Sequence, residues 1–342
     1  MKVILLIVFA LFSQTIYGQG NVESVKIYSK SLVNSGGENP NRKLTIYLPY
    51  NYDKETTHYP VIYYLPGIGM TNDWLMEQLK PLLDNAILSN EIRPIILVIP
   101  DHYSLYQGSY FSNSSLIGDW ITFTKKNVVE YIDANYRTLH KKESRALTGW
   151  SSGGFGVLKI GMQSSDVFAN IYSLSPGLLI LSDEFAPNSP SYKELEGIKD
   201  HEQLQKEWVG IPNVLVAAGR AFAPNPSNPP YFADLPVKFE GGKAKIDDFA
   251  LKRWNEQLPF NMVDDYIKQL RSLNSIKLEW GRNDGFKNVV SSCRAFSKKL
   301  ENLGIEHVAE EYNGTHFNRI FESDGRIAKE MLPFLNDHLE FE

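Results

Sequence analysis

Gly149-Trp150-Ser151-Ser152-Gly153 sets a serine between two glycines at the spacing G-x-S-x-G. A serine hydroxyl attacks well only when the backbone exposes it and a base stands beside it. A sharp strand-to-helix turn supplies the exposure. Positions two before and two after the serine come close together in that turn, so both favour glycine. The N–H of Ser152 then points at the oxyanion that forms on attack. Such a pattern arises by chance in roughly one chain in ten of this length. The reading therefore depends on its flanks, and on a base, an acid and a second oxyanion donor elsewhere.

The base is sought among seven histidines. His140 and His338 fall at helix ends or near the terminus, His58 and His201 in polar stretches, and His307 at the start of a strand. His102 follows a strand end but lies upstream of the serine. Only His316 follows the C-terminal end of a strand and lies downstream of both serine and acid candidate, at the sheet edge where open α/β sheets bind ligands. Asp284 sits in a turn after a strand, 32 residues before His316. A carboxylate there would fix the imidazole tautomer and stabilise imidazolium. Asp264 and Asp265 are the other candidates, but they read as helix N-terminal residues. The order Ser151, Asp284, His316 is that of hydrolases built on an α/β sheet. The second oxyanion donor belongs to the loop after the third strand, and Pro66-Gly67-Ile68-Gly69 stands there. We assign it to the N–H of Ile68, with Gly67 beside the substrate.

These residues need a sheet to carry them. Residues 24–31 and 43–48 read as strands joined by a turn-rich hairpin loop. Residues 60–65 and 94–100 are continuous apolar runs, as in strands buried on both faces. Residues 73–89 form a helix with Leu75, Leu79, Leu82, Leu83 and Ile87 on one face. A polar and aromatic loop over 101–115 leads to a helix over 119–136 and to the strand at 144–147 before Ser151. Further strands fall at 169–174, 276–280 and 308–312, with helices at 264–273, 289–303 and 319–339. This alternation predicts a mostly parallel, twisted α/β sheet with helices on both faces and an antiparallel first hairpin. Between residues 182 and 258 the rhythm breaks under eight prolines. We read that stretch as one cap-like insertion. Residues 213–218 inside it fit a strand or a buried helical turn.

Composition narrows the class. The 342 residues are 43% hydrophobic with a net charge of −5, an ordinary globular balance. Paired lysines such as Lys125-Lys126 form no basic stripe, so nothing points to nucleic acid. Lys2 followed by a ten-residue apolar run, Val3 to Phe12, and a small polar stretch reads as a signal peptide over 1–18. The hydrolase domain then spans 19–342, and the location expected is periplasmic or extracellular, with no membrane association once the leader is cleaved. The single cysteine, Cys293, excludes an intramolecular disulfide and a thiol-based metal site.

At this point the chain resembles the putative esterase family of the α/β-hydrolase superfamily. Its members include feruloyl and acetylxylan esterases, S-formylglutathione hydrolases, siderophore esterases and mycolyltransferases. The matching stretches are 63–69, Gly118-Asp119-Trp120, the run Asp133-Ala134-Asn135-Tyr136-Arg137, the Ser151 turn with its double glycine, 166–176, and Gly314-Thr315-His316. Two positions depart. Such enzymes commonly carry His where Pro66 stands and Met where Ser152 stands, changes that alter the acyl pocket but remove no backbone donor. The resemblance implies a serine esterase without metal or organic cofactor. For an exported member it implies acetyl or feruloyl esters of plant polysaccharide, with Trp120, Trp150, Tyr103, Tyr106 and Tyr110 as a sugar or aryl platform. A siderophore trilactone esterase and an acyltransferase share the fold. A non-catalytic carbohydrate-binding protein is the reading from another class.

Overall fold

The computed structural model describes residues 18–205 and 210–342, so the expected leader lies almost wholly outside the described residues. Strands β1 (Asn21–Tyr28), β2 (Asn41–Leu48), β3 (Val61–Leu65) and β4 (Ile96–Pro100) open the fold. Helix α1 (Asn72–Leu88) joins β3 to β4. Its N-cap is Thr71, whose Oγ1 accepts the Trp74 N–H at 3.3 Å. Leu75, Leu79, Leu82 and Leu83 are buried on the face expected.

Two short strands, β5 (Asn113–Ser114) and β6 (Gly118–Asp119), pair within the aromatic loop. Helix α2 (Trp120–Thr122) then runs through a π-helical stretch into α3 (Val129–Asn135). Strand β7 (Arg145–Trp150) leads through Ser151 into α4 (Ser152–Gln163), and β8 (Asn170–Leu174) follows.

The stretch with broken rhythm carries four α-helices and one hairpin among its described residues. It holds α5 (Ser191–Glu194), α6 (His201–Gln205), α7 (Ile211–Phe222), the hairpin of β9 (Val237–Glu240) and β10 (Lys243–Ile246), and α8 (Asp248–Asn255). Residues 213–218 lie in α7, which resolves the ambiguity in favour of helix. The helix expected over 264–273 is broken. After α9 (Pro259–Met262) a 3-10 turn covers Val263–Asp265, and Tyr266 at φ −118° interrupts the chain before α10 (Ile267–Arg271).

Strand β11 (Ser275–Gly281), helix α11 (Lys287–Asn302) and strand β12 (Val308–Tyr312) complete the alternation. The last helix, α12 (Leu332–His338), continues a π-helical turn over Ile327–Met331. It is shorter than the 319–339 expected. Arg319 has φ 62°, and the Arg326 N–H closes a turn onto the Arg319 carbonyl at 2.7 Å. That turn keeps residues 313–326 as a loop.

The main sheet has eight strands in the order β1-β2-β4-β3-β7-β8-β11-β12. Only β2 runs against its neighbours. The pleat divides the core. Val61, Tyr63 and Leu65 join the apolar cluster containing α3, α4 and α11 side chains. Ile62 and Tyr64 join the one with α1 and α12 side chains. Apolar runs without alternation are what two covered faces demand. This is the α/β-hydrolase fold. Among the described residues no helix is long and apolar enough to cross a membrane.

Candidate active site

Ser151 takes φ 59° and ψ −124°, a region side chains enter only under constraint. The constraint is visible on both sides. The Ser151 N–H donates to the Leu174 carbonyl of the neighbouring strand at 3.0 Å, and Ser151 O accepts from the Phe155 N–H at 3.1 Å. The flanking glycines are required by contact. A Cβ on Gly153 would lie 2.1 Å from the Leu65 carbonyl oxygen, and one on Gly149 would lie 2.6 Å from the same atom.

Three side chains from three loops meet at this turn. His316 Nε2 is 3.0 Å from Ser151 Oγ. His316 Nδ1 is 2.7 Å from Asp284 Oδ2. Asp284 Oδ1 accepts the Phe286 N–H at 2.8 Å, which fixes the carboxylate. A carboxylate can only accept, so the imidazole proton sits on Nδ1 and the Nε2 lone pair faces the serine hydroxyl. His316 and Asp284 are buried.

Ile68 and Ser152 line the same cavity as Ser151. Ser152 is the first residue of α4, where a helix leaves its own N–H groups unspent. Around Ile68, Gly69 donates its N–H to Gln107 O at 2.9 Å and Met70 donates to Gly67 O at 3.1 Å. The second bond closes a turn within the 66–69 loop, and the first ties that loop to the aromatic loop. His102 steadies that second loop from within, with ring nitrogens 2.8 Å from Ser109 Oγ and 3.0 Å from Thr124 Oγ1. Burial pushes its imidazole well below the ordinary histidine range.

The cavity over Ser151 has a volume of about 510 Å³. Met70, Tyr110, Phe185, Ile211, Val214 and Val289 supply apolar wall. Its described lining residues include no Asp, Glu, Lys or Arg. Phe185, Ile211 and Val214 come from the stretch between 182 and 258. Gly67 and Trp150 line the cavity too.

Trp120 does not. It is fully buried, its indole N–H donates to Ile117 O at 2.9 Å, and the Arg42 guanidinium lies 4.6 Å from its ring centroid. Its assignment to substrate is corrected to core packing. Of the three tyrosines, only Tyr110 reaches the cavity.

The aromatic rim that the sequence reading missed is Trp74 and Phe317. They line the cavity and are 41% and 55% exposed, unusual for such rings. One signal was available for each. Trp74 stands off the apolar stripe of α1, and Phe317 follows the base directly.

The sequence model described as "Putative esterase" matches residues 35–324. The chain belongs to this esterase family. It is 26% identical over 304 residues to an esterase of Mycobacterium tuberculosis, an alignment covering 86% of this chain and 57% of that protein. The chain thus spans a little over half the length of that curated relative. Among solved structures, a ferulic acid esterase superposes with TM-score 0.61 at 21% identity, covering 94% of this chain and 100% of that one. An S-formylglutathione hydrolase of Agrobacterium tumefaciens also gives 0.61, at 14% identity, covering 95% and 98%. At such identities the superpositions speak for the fold.

Proposed function

We propose that the chain is an exported serine carboxylic-ester hydrolase acting through an acyl-enzyme. The observation that carries this is the continuous relay from Ser151 through His316 to Asp284, at 3.0 Å and 2.7 Å, on the floor of an uncharged cavity. Ser151 Oγ attacks the ester carbonyl as His316 Nε2 takes its proton. The N–H groups of Ile68 and Ser152 hold the oxyanion. Collapse expels the alcohol, which leaves with the proton returned by His316. Water, deprotonated by the same nitrogen, then releases the acid and frees Ser151. Asp284 keeps the proton on Nδ1 throughout and stabilises the imidazolium.

The substrate reading is an acetyl or feruloyl ester of plant polysaccharide. Three things support it: kinship with the esterase family, likeness to a ferulic acid esterase, and the leader expected over residues 1–18. The chemistry of the cavity agrees. An apolar wall suits an acyl or aryl group, and the alcohol must leave on the side of His316, beside the exposed Phe317. A lining without fixed charge favours neutral leaving groups over charged peptide thiols.

The test is a panel of nitrophenyl acetate to octanoate, methyl ferulate and acetylated xylan, given to wild type and Ser151→Ala. Wild type turns over at least one class and the variant loses about a thousandfold or more. Equal rates in both proteins, or none in either, would return the chain to the class of carbohydrate-binding proteins.

A further inference from the structure

Trp150 lies between the two halves of the site. It ends β7, one residue before Ser151, and is 3% exposed. Its indole N–H donates to the backbone carbonyl of His316 at 3.1 Å. Its ring centroid lies 4.9 Å from that of the imidazole, tilted 37° to it. Phe286 and Phe317 stand nearly perpendicular to the same imidazole, at 81° and 83°. The indole is itself braced by Phe317 and Phe321, at centroid distances of 5.6 Å and 5.8 Å. The strand that carries the nucleophile is therefore bonded directly to the loop that carries the base, by a single side chain.

We infer that Trp150 is a positioning residue for His316, anchoring its backbone through the indole N–H and stabilising the imidazolium with its ring face. This rests on the serine-hydrolase reading above and adds to the substrate contact expected from the sequence, since Trp150 also lines the cavity. Two physical effects are separable. The hydrogen bond fixes where the 313–326 loop presents Nε2, and small errors in that placement lower the rate of proton transfer. The indole π-face attracts a cation within about 6 Å. That cation exists while His316 holds the proton taken from Ser151, before passing it to the leaving oxygen. The groups facing the imidazole are the Asp284 carboxylate, the Ser151 hydroxyl and the three aromatic rings. Behind Asp284 lie the Cys293 thiol, which burial pushes well up, and the Tyr312 phenol, pushed up to about 12 chiefly by burial. The Asp284 carboxylate and the indole face are thus the two groups placed to stabilise the imidazolium.

The experiment compares wild type, Trp150→Phe and Trp150→Leu on one nitrophenyl ester, with kcat and KM measured across pH and folding checked by thermal melting. Phe keeps a ring face and loses the N–H. It should lower kcat roughly three- to tenfold, leave KM within about twofold, and keep the acid limb of kcat/KM near its wild-type position. Leu loses both. It should lower kcat further and move the acid limb to lower pH by roughly half a unit, because the free histidine then holds its proton less tightly. A merely structural role would not move that limb downward. A limb that stays fixed or moves upward in Trp150→Leu, or a raised KM with unchanged kcat, would overturn the assignment. If the Leu variant does not fold, an unchanged kcat in Trp150→Phe overturns it alone. Absence of turnover in wild type would instead remove the hydrolase reading beneath it.

Discussion

Ser151 at φ 59° is held by its surroundings, and the neighbours show how. Leu65 O occupies the space a side chain at position 153 would need, at 2.1 Å from an added Cβ. Gly153→Ala should therefore cost on the order of 1–3 kcal/mol in chemical denaturation, and lose ester turnover as the turn relaxes. Unchanged stability would mean the turn is not close-packed. Asp284 acts at the same scale. Asn at position 284 can present its NH₂ to Nδ1, which turns the imidazole proton toward the serine. Asp284→Asn should lower kcat by roughly ten-thousandfold, with KM little changed. A loss of tenfold or less would show that the tautomer is fixed by something else.

The elements explain what was legible in the sequence and what was not. Strands β3, β4 and β7 and the turn at Ser151 follow from apolar runs and glycines whose constraints are local. Strand ends and chain order point to His316 and Asp284, and the structure brings both to Ser151. Helix α7 is ambiguous in sequence because the apolar run 214–218 carries no period when both sides are covered, and residues 213–218 are all buried. Trp120 was misassigned for a related reason, since ring type says nothing about which side of a loop is packed.

Lys159 is the one charged residue of α4, and it is buried at 1% exposure. Its Nζ donates to Ser112 Oγ at 2.6 Å and to Gln257 Oε1 at 2.9 Å, and lies 4.6 Å from the Phe222 ring centroid. It ties the helix after Ser151 to the aromatic loop and to the end of the 182–258 stretch. Desolvation holds its ammonium well below the ordinary 10.5. Between that lowered value and 10.5 the unfolded chain binds a proton the folded chain does not, so stability rises with pH across the interval. Lys159→Met should flatten that rise when denaturation is followed as pH climbs toward 10.5. An unaltered slope would place the pH dependence elsewhere.

At the scale of the whole molecule, one ionic cluster joins the sheet edge to the C-terminal segment. The Arg326 guanidinium lies 2.6 Å from both Glu279 Oε2 and Glu310 Oε1, and Lys277 Nζ is 3.1 Å from Glu330 Oε2. Glu279 is fully buried, and desolvation holds its carboxyl above the ordinary range against the pull of Arg326. Arg326→Met should cost about 3–5 kcal/mol. Part of that loss should return as pH falls from neutrality toward 4.5, because the folded chain takes up a proton there that the unfolded chain leaves off. A uniform loss at every pH would contradict this. The same cluster closes the loop that presents His316, so the variant should also lose kcat. The proposed reaction stands or falls on Ser151 as its nucleophile. The most direct measurement is labelling of wild type and Ser151→Ala with a fluorophosphonate, followed by peptide mass spectrometry. The account predicts one adduct, on Ser151, and none in the variant. An adduct on another residue, or equal labelling of both proteins, would contradict it.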